Sequence, residues 1–500
     1  MVELVWFKKD LRARRNLPLL SACLHAEVIP LYIIEDDFYR LPDISHRHYL
    51  FLVDCLKDLA NALKNLGLNL IIKKGNAQDI LLSLTKKLHI KRIWSYQEIG
   101  NSWTYSRDKE IRVWAKKESI TWNELPSNGI VRNLRCRNQW SGIWHNTMKK
   151  DVEDIKPQKP THFSIASDPI PSYKELNISS QPIEYIQKGG REEGLKLLNS
   201  FFDFRGWNYS FEMSSPLTAY DSCSRLSPHL AFGTLSIEEV FKKGNHALKL
   251  LETSQINSAA RRRKSIYSFL KRLRWHCHFI QKMEDQPDIE YKNLHPIYDG
   301  LREDQFNEEY FQAWKRGMTG FPFVDACMRA LIATGWINFR MRAMLVSFSS
   351  YHLWLHWRKP ALYLARLFTD YEPGIHYSQI QMQSGTTGIN TIRAYNPIKQ
   401  SFDQDKEGKF IQRWVPELAH YSSETIHTPW IHPDQLNGYP TPIVDEQQAR
   451  AKAVKAIYLL RKSKTHKAIA GKIVIKHASR KRIKFKADKK HDLNQLELPL

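Results

Sequence analysis

The side chains able to do chemistry are scattered along this chain, and their spacing excludes more than it admits. Six cysteines, Cys23, Cys55, Cys136, Cys223, Cys277 and Cys327, lie far apart and never form a CxxC pair. That argues against a disulfide framework, a zinc finger and a sequence-local iron–sulfur site. His276 and His278 flank Cys277, but two residues apart on a helix they point to nearly opposite faces, so they make no shared metal site. No G-x-G-x-x-G follows the first β-rich run, so the dinucleotide fingerprint is missing. What remains is anion chemistry. The run Ser224-Arg225-Leu226-Ser227-Pro228 offers hydroxyls and backbone N–H groups at a helix start. It is either a phosphate cradle or an ordinary N-cap.

The overall charge points the same way. Lys and Arg number 75 against 52 Asp and Glu among 500 residues, a net +23 that favours a polyanionic partner. An anionic membrane is the weaker choice, because no stretch approaches the length of apolar sequence that a spanning helix needs. The start, Met1 to Asp10, lacks the basic-then-apolar order of a secretion signal, and a reducing cytoplasmic compartment is expected. From Ala451 onward there are 15 Lys or Arg and 3 Asp or Glu, about +12 in the last 50 residues. This stretch is poor in aromatics and reads as a mobile basic arm.

The elements that must position such residues fall into blocks. β-rich runs at Val2–Phe7, Val28–Ile34, Leu68–Ile72 and Ile90–Trp94 alternate with helical spacing, as in Leu52, Leu56, Leu59, Leu63 and Leu66 before Gly67. The rhythm predicts a parallel, helix-covered (Rossmann-like) α/β domain over residues 1–130. Residues 131–187 are expected to be a connector, Pro-rich from Asp151 to about Gln187. Residues 188–450 are expected to be all-α, and 451–500 a basic tail.

Several phrases of the helical half, in order, resemble the photolyase/cryptochrome family of flavoproteins. They are Ser224-Arg225-Leu226-Ser227-Pro228-His229-Leu230, Thr319-Gly320-Phe321-Pro322-Phe323-Val324-Asp325-Ala326, Thr334-Gly335-Trp336, Tyr395-Asn396-Pro397 and Arg413-Trp414-Val415-Pro416-Glu417-Leu418. The opening Val5-Trp6-Phe7-Lys8-Lys9-Asp10-Leu11-Arg12 looks like the family's first strand. The resemblance covers roughly residues 1–450, and the bacterial deoxyribodipyrimidine photolyases without the iron–sulfur cysteine set are the branch it suggests. It implies an N-terminal antenna-type α/β domain and an all-α C-terminal FAD-binding domain. In repair members, light excites the reduced flavin and an electron passes to a pyrimidine dimer flipped out of DNA.

The resemblance also implies residues. Tyr209, Cys223, Ser224, Arg225, Leu226 and Ser227 match the segment expected near the FAD phosphates. Arg340 and Arg342 fall where the family has arginines near the isoalloxazine, with Asp370 as the expected partner of one of them. A cation there favours the anionic reduced ring; the alternative is a buried salt bridge that only organises helices. Trp275 matches the tryptophan against which the lesion packs, with Phe279 and Phe339 beside the cofactor. Of the electron-relay tryptophans the middle one, Trp357, is matched, and Trp354 is expected to share its helix face at i,i+3. Trp336 and Tyr351 are further aromatic candidates beside it. The proximal relay slot falls on Ser378 or Tyr377 and the outer one near Asp304.

Departures cluster where the chemistry would be. Arg272 stands where an acidic lesion-binding residue is expected, Phe339 where the family has asparagine, Ala343 for a methionine and Ile380 for a second tryptophan. The position beside flavin N5 aligns with Gly374. Two readings follow: light-driven dimer repair with Trp275, Arg272, Arg342, Asp370 and Phe339 at the reacting centre, or a FAD-binding blue-light receptor that does not repair. Implied partners are FAD, a second antenna chromophore of folate or deazaflavin type, and UV-damaged DNA. Arg261, Arg262, Arg263, Arg274 and Lys399 are the basic positions expected toward DNA, and His276 and His278 are either structural or DNA-proximal. The protein is expected to be monomeric. Gln495-Leu496-Glu497-Leu498-Pro499-Leu500 resembles the peptide by which bacterial proteins dock into the DNA sliding clamp, or is an amphipathic end without a partner.

Overall fold

The computed structural model describes residues 2–159, 163–180, 183–253 and 258–478. Five parallel strands form one sheet in the order β3-β2-β1-β4-β5, with β1 Val2–Phe7, β2 Glu27–Ile34, β3 Ile71–Lys74, β4 Arg92–Tyr96 and β5 Thr121–Leu125. The central strand shows why the sheet is covered on both sides. Leu4 and Trp6 point into a cluster with Leu81, Leu84, Ile111 and Trp114 from the crossover helices Ala77–Lys87 and Ser102–Lys117. Val5 and Phe7, one residue out of phase, point the other way, toward Leu52, Leu56, Leu59 and Leu63 of the helix His46–Lys64. That second core does not stop at the sheet. It runs on into the helical half through Trp314, Met341, Trp357 and Tyr377.

The remainder is helical. A long helix, Ala259–Asp285, crosses it and packs against Ile237–Glu252 on one side and Pro373–Ser384 on the other. Gly374 makes the second approach possible: a Cβ there would sit 2.7 Å from the Ile280 Cα, inside the contact distance of two carbons.

Three features depart from the sequence expectation. β5 was missed because Thr121-Trp122-Asn123-Glu124-Leu125 is a partly exposed edge strand without an apolar run. The stretch 131–187 is more than a connector. Trp140, Trp144 and Met148 recur at i, i+4, i+8 on the helix Trp140–Lys149 and bury against the helix that carries Phe241. The basic tail is also ordered as far as residue 478. Glu446–Arg461 and Lys464–His477 are helices, with Ala453, Ile457 and Ile473 buried. A surface helix needs only one narrow apolar stripe, and composition alone undervalued Ala453 and Ile457 at i,i+4. Arg461 then fixes the first of these helices, donating to the Tyr298 hydroxyl at 3.1 Å and the Asn390 carbonyl at 2.8 Å. The clamp-like peptide Gln495–Leu500 lies outside the described residues.

Candidate active site

Three helices each turn one face toward a single open cavity of about 330 Å³. The long helix contributes Arg272, Trp275, His276 and Phe279, spaced i, i+3, i+4, i+7, while Leu273, Cys277 and Ile280 on its other side are buried in core. Phe339–Ser347 contributes Phe339, Arg342, Ala343 and Val346 with the same spacing. Pro373–Ser384 contributes Ile375, His376, Gln379, Ile380 and Gln383, and Tyr209, Met213, Cys223 and Ser227 close a further side.

At the inner wall, Arg342 grips Asp370 with two parallel bonds of 2.9 Å, and its Nε donates to the Ile337 carbonyl at 2.8 Å. The Phe368 ring lies 4.1 Å from this guanidinium. Burial alone would raise the Asp370 carboxyl. The Arg342 charge and hydrogen bonds, helped by Ser227 and the Asp370 backbone, outweigh it and hold the group below the usual carboxylate range. Burial brings the imidazoles of His276 and His376 down to about 4, so both are neutral at pH 7. It pushes the Cys223 thiol up to about 12 against four nearby arginines, so that group stays protonated.

The cation left over is Arg272. It makes no ion pair among the described residues; its Nη2 lies 4.0 Å from the Met213 sulfur and its guanidinium 5.6 Å from the Phe339 ring. Phe339 itself is 42% exposed, at the mouth. Trp275 and Phe279 stack with their ring centres 5.7 Å apart. Among the described residues several polar atoms of the wall have no partner: Asn338 Oδ1, Gln379 Oε1, both side-chain polar atoms of Gln383, and Glu372 Oε1, whose other oxygen is paired with Lys9. Buried amides are satisfied in nearly all folded proteins, so these mark the surface of something that belongs in the cavity. A flat aromatic flank, orphaned amide donors and acceptors, and an uncompensated cation fit a planar, amide-edged heterocycle bearing negative charge. FAD has that chemistry.

Of the residues expected at the cofactor, Tyr209, Cys223, Ser227, Arg272, Trp275, Phe279, Phe339, Arg342 and Asp370 line the cavity. Four expected there do not. Arg225, in left-handed backbone conformation at φ 59°, lies between the rings of Tyr220 and Trp336, 4.2 Å from each, and donates to Gln187 at 3.1 Å. Ser224 turns its hydroxyl to the Leu226 N–H at 3.4 Å, Leu226 is core, and Arg340 lies outside the wall. Gly374 faces the long helix rather than the cavity, and His376 takes the place on the wall. Asn338, Gln379, Gln383 and His376 were missed; the last three had a visible signal in their i, i+3, i+7 spacing from His376.

The relay residues separate. Trp357 is fully buried, donates to Asn293 Oδ1 at 2.7 Å, and has Tyr377 at 6.4 Å between ring centres. Trp354 shares no helix with it. The chain leaves the wide turn Phe348–His352, places Trp354 at φ 52°, and begins the next helix only at Arg358. Trp354 instead stacks on Arg302 at 4.5 Å. Of the expected DNA-facing cations, Arg261 lies on Phe211 and Arg262 on Trp207, while Arg274 is tied to Ser141 at 2.8 Å. Lys399 is exposed and Arg263 partly exposed.

A second cavity, of about 90 Å³, sits between the sheet and the helical half, lined in part by Phe7, Tyr32, Phe38, His48 and Tyr371. Its charges satisfy one another: Arg107 reaches Glu35 at 2.7 Å, Glu98 at 2.6 Å and Asp108 at 2.8 Å. Among the described residues there is no cluster of His, Cys, Asp and Glu fit to hold a metal, and no helix long and apolar enough to cross a membrane.

Comparison with known proteins gives this architecture a family. Residues 3–139 match the DNA photolyase family model and residues 269–458 the model for the FAD binding domain of DNA photolyase. A deoxyribodipyrimidine photo-lyase of Streptomyces griseus is 28% identical, covering 91% of this chain and 99% of its own. Its counterpart in Agrobacterium fabrum is 29% identical, covering 92% and 98%. A cryptochrome DASH of Gloeobacter violaceus is 27% identical over 91% and 95%. The crystal structure of a bacterial class III photolyase from Agrobacterium tumefaciens superposes with a TM-score of 0.78 at 26% identity, covering 92% of this chain and 98% of the other. An archaeal photolyase from Sulfolobus tokodaii, solved with two FAD molecules, gives 0.76 at 27% identity, covering 92% and 100%. The chain belongs to the photolyase/cryptochrome family, as a photolyase-like lyase carrying that family's FAD-binding domain.

Proposed function

We propose that this protein repairs UV-induced pyrimidine dimers in DNA, using light and reduced FAD to pass an electron to a lesion flipped into the cavity mouth. The observation that carries this reading is the gradient across one cavity, from the closed Arg342–Asp370 pair inside to an unpaired Arg272 and an exposed Phe339 at the opening. FAD, when bound, supplies the excitable electron donor. Arg342, held in place by Asp370, keeps positive charge beside the ring without needing to reorganise when charge builds there. Trp275 offers a flat face on which either pyrimidine of a dimer stacks. Arg272, in place of an acid, supports contact with the phosphate beside the lesion rather than with its carbonyl groups. The basic residues Arg261, Arg263 and Lys399 add the sequence-independent phosphate attraction that duplex binding requires.

A second chromophore of folate or deazaflavin type has its place in the interface cavity, whose aromatic walls suit a planar ring. The competing reading, a blue-light receptor that binds FAD without repair, draws on the same Arg272, because added charge opposes a neutral lesion. Protein carrying fully reduced FAD, incubated with oligonucleotides bearing cyclobutane dimers or (6-4) products, restores one of them in blue light and neither in darkness. No restoration of either in light decides for the receptor.

A further inference from the structure

Arg302 carries a charge that the site described above does not use. It follows the short helical turn Pro296–Tyr298, is 1% exposed, and makes no ion pair among the described residues. Glu303, the next residue, turns its carboxylate to the Arg302 backbone N–H at 2.9 Å and to His356 at 3.6 Å rather than to the guanidinium. The Trp354 ring covers the guanidinium face at 4.5 Å, and Nη1 donates to the Ser384 carbonyl at 3.1 Å. The other edge, Nε and Nη2, is buried and has no partner among the described residues. That edge is the fork by which a guanidinium holds an anion with two parallel N–H groups.

Two further donors come to the same place. Gly385 follows Ser384, and a Cβ there would sit 2.5 Å from the Tyr351 hydroxyl and 3.4 Å from the Ile457 Cδ1. The Tyr351 phenol and the helix Glu446–Arg461 therefore both close on the backbone that holds Arg302. The Tyr351 hydroxyl is buried without a partner among the described residues. Arg461 stands four residues beyond Ile457, on the same face of its helix. Its Nε and Nη1 are taken by Tyr298 and Asn390, while its Nη2 is buried and unpartnered. Burial raises the phenols of Tyr298 and Tyr351, and both guanidiniums lie close enough to pull against it. Those neutral phenols supply no negative charge, nor does His466, which burial brings down to about 4. Burial brings Arg302 only down to about 10, so it stays charged at pH 7. Two like charges thus meet in an interior where an unpaired ion is costly.

We infer that a halide ion bridges Arg302 and Arg461, accepting from Arg302 Nε and Nη2, Arg461 Nη2 and the Tyr351 hydroxyl. Four donors with no acceptor among them suit a spherical monoanion, which takes N–H and O–H bonds from any direction. The enclosure decides the class of anion. Arg302, Tyr351 and Ile457 are each at most 1% exposed, and neither arginine lines the large cavity or the interface cavity, so the site does not admit a nucleotide or a phosphate ester. Its consequence falls on the C-terminal part of the chain. Arg302 and Tyr351 belong to the body of the helical half, and Arg461 ends the helix laid over it. The ion fastens that helix in place, and chloride concentration sets how firmly it is held.

The experiment uses full-length protein exchanged into gluconate and titrated with chloride at constant ionic strength. The melting temperature rises with the logarithm of chloride concentration once the site begins to fill, because a ligand that binds only the folded state stabilises it by mass action. Amide hydrogen exchange over residues 446–461 slows in step. Crystals grown with bromide show an anomalous peak at the Arg302 fork. Tyr351→Phe keeps both arginines and raises the chloride concentration at which stabilisation sets in about tenfold, the loss of one hydrogen bond to a charged group. Arg302→Met abolishes the chloride response. A water without anomalous signal at the fork, melting that is the same in chloride and gluconate, or an Arg302→Met variant that responds like the wild type overturns the inference. Should Arg302→Met fail to fold, the bromide peak and Tyr351→Phe still decide.

Discussion

The two cavities differ less in their lining than in how their charges are settled. At the interface, one guanidinium, Arg107, faces three carboxylates within hydrogen-bond distance and lies over the Trp6 ring at 4.9 Å. In the helical half, Arg272 makes no ion pair among the described residues although Asp370 and Glu372 line the same cavity, and orphaned amides lie on Gln379 and Gln383. A buried polar group that the protein satisfies itself serves the fold. One left unsatisfied at a cavity wall can still bond to a ligand. By that measure the larger cavity is suited to a polar guest, while the smaller one satisfies its own charges.

The largest effect is expected at Asp370. Asp370→Asn leaves Arg342 without its counter-charge, and removing one partner of a buried pair costs about 4 kcal/mol. Urea unfolding of the apoprotein and the FAD content of purified protein measure this. Because the folded Asp370 carboxyl is held below its unfolded value, its stabilisation is full above the unfolded pKa and vanishes as pH falls through the folded one. The wild type therefore loses stability on that acid limb, and Asp370→Asn loses less over the same window. Wild type and variant falling in parallel would break the assignment.

Arg107→Met tests the other side of the comparison. It leaves Glu35, Glu98 and Asp108 facing one another and destabilises the fold by about 3 kcal/mol, with FAD content per folded protein unchanged. Loss of FAD in that variant would mean that the two cavities are not independent. Gly374→Ala forces the Pro373–Ser384 helix away from Ile280 and costs about 2 kcal/mol, read as a lowered Tm, because overpacked sites must shift backbone. Arg272→Ala leaves stability nearly unchanged and weakens binding of dimer-containing DNA about tenfold, with a shallower dependence on salt. Equal affinity for variant and wild type would place the DNA phosphates elsewhere.

How far the sequence alone reached follows the same division. Strands β1, β2 and β4 and the helical half were legible because they bury continuous or periodic apolar residues, whereas the run Leu68–Ile72 meets β3 only at Ile71 and Ile72 because Lys73 and Lys74 carry no apolar signal. β5 and the helix Trp140–Lys149 were not, since an exposed edge strand and an indole stripe among polar residues carry little hydropathy signal. At the site, Arg342, Asp370 and Trp275, singled out by the family resemblance rather than by their types, line the wall. Arg225 does not line that wall, because a positive φ and two flanking rings, invisible in one dimension, turn it away. Gln379, Gln383 and His376 gain meaning only once Gly374 fixes where that helix lies against its neighbour.

The core that begins at Val5 and Phe7 and ends at Trp357 and Tyr377 has a consequence for the protein's modularity. Two halves that share one uninterrupted apolar interior cannot swing as hinged lobes, because any opening would expose that interior to water. Neither half is expected to survive excision as a soluble fragment, and despite its length the described chain should melt in one calorimetric transition. Ligands must then come and go through the standing mouth of the cavity, and the timing of their exchange is set by side chains at that mouth.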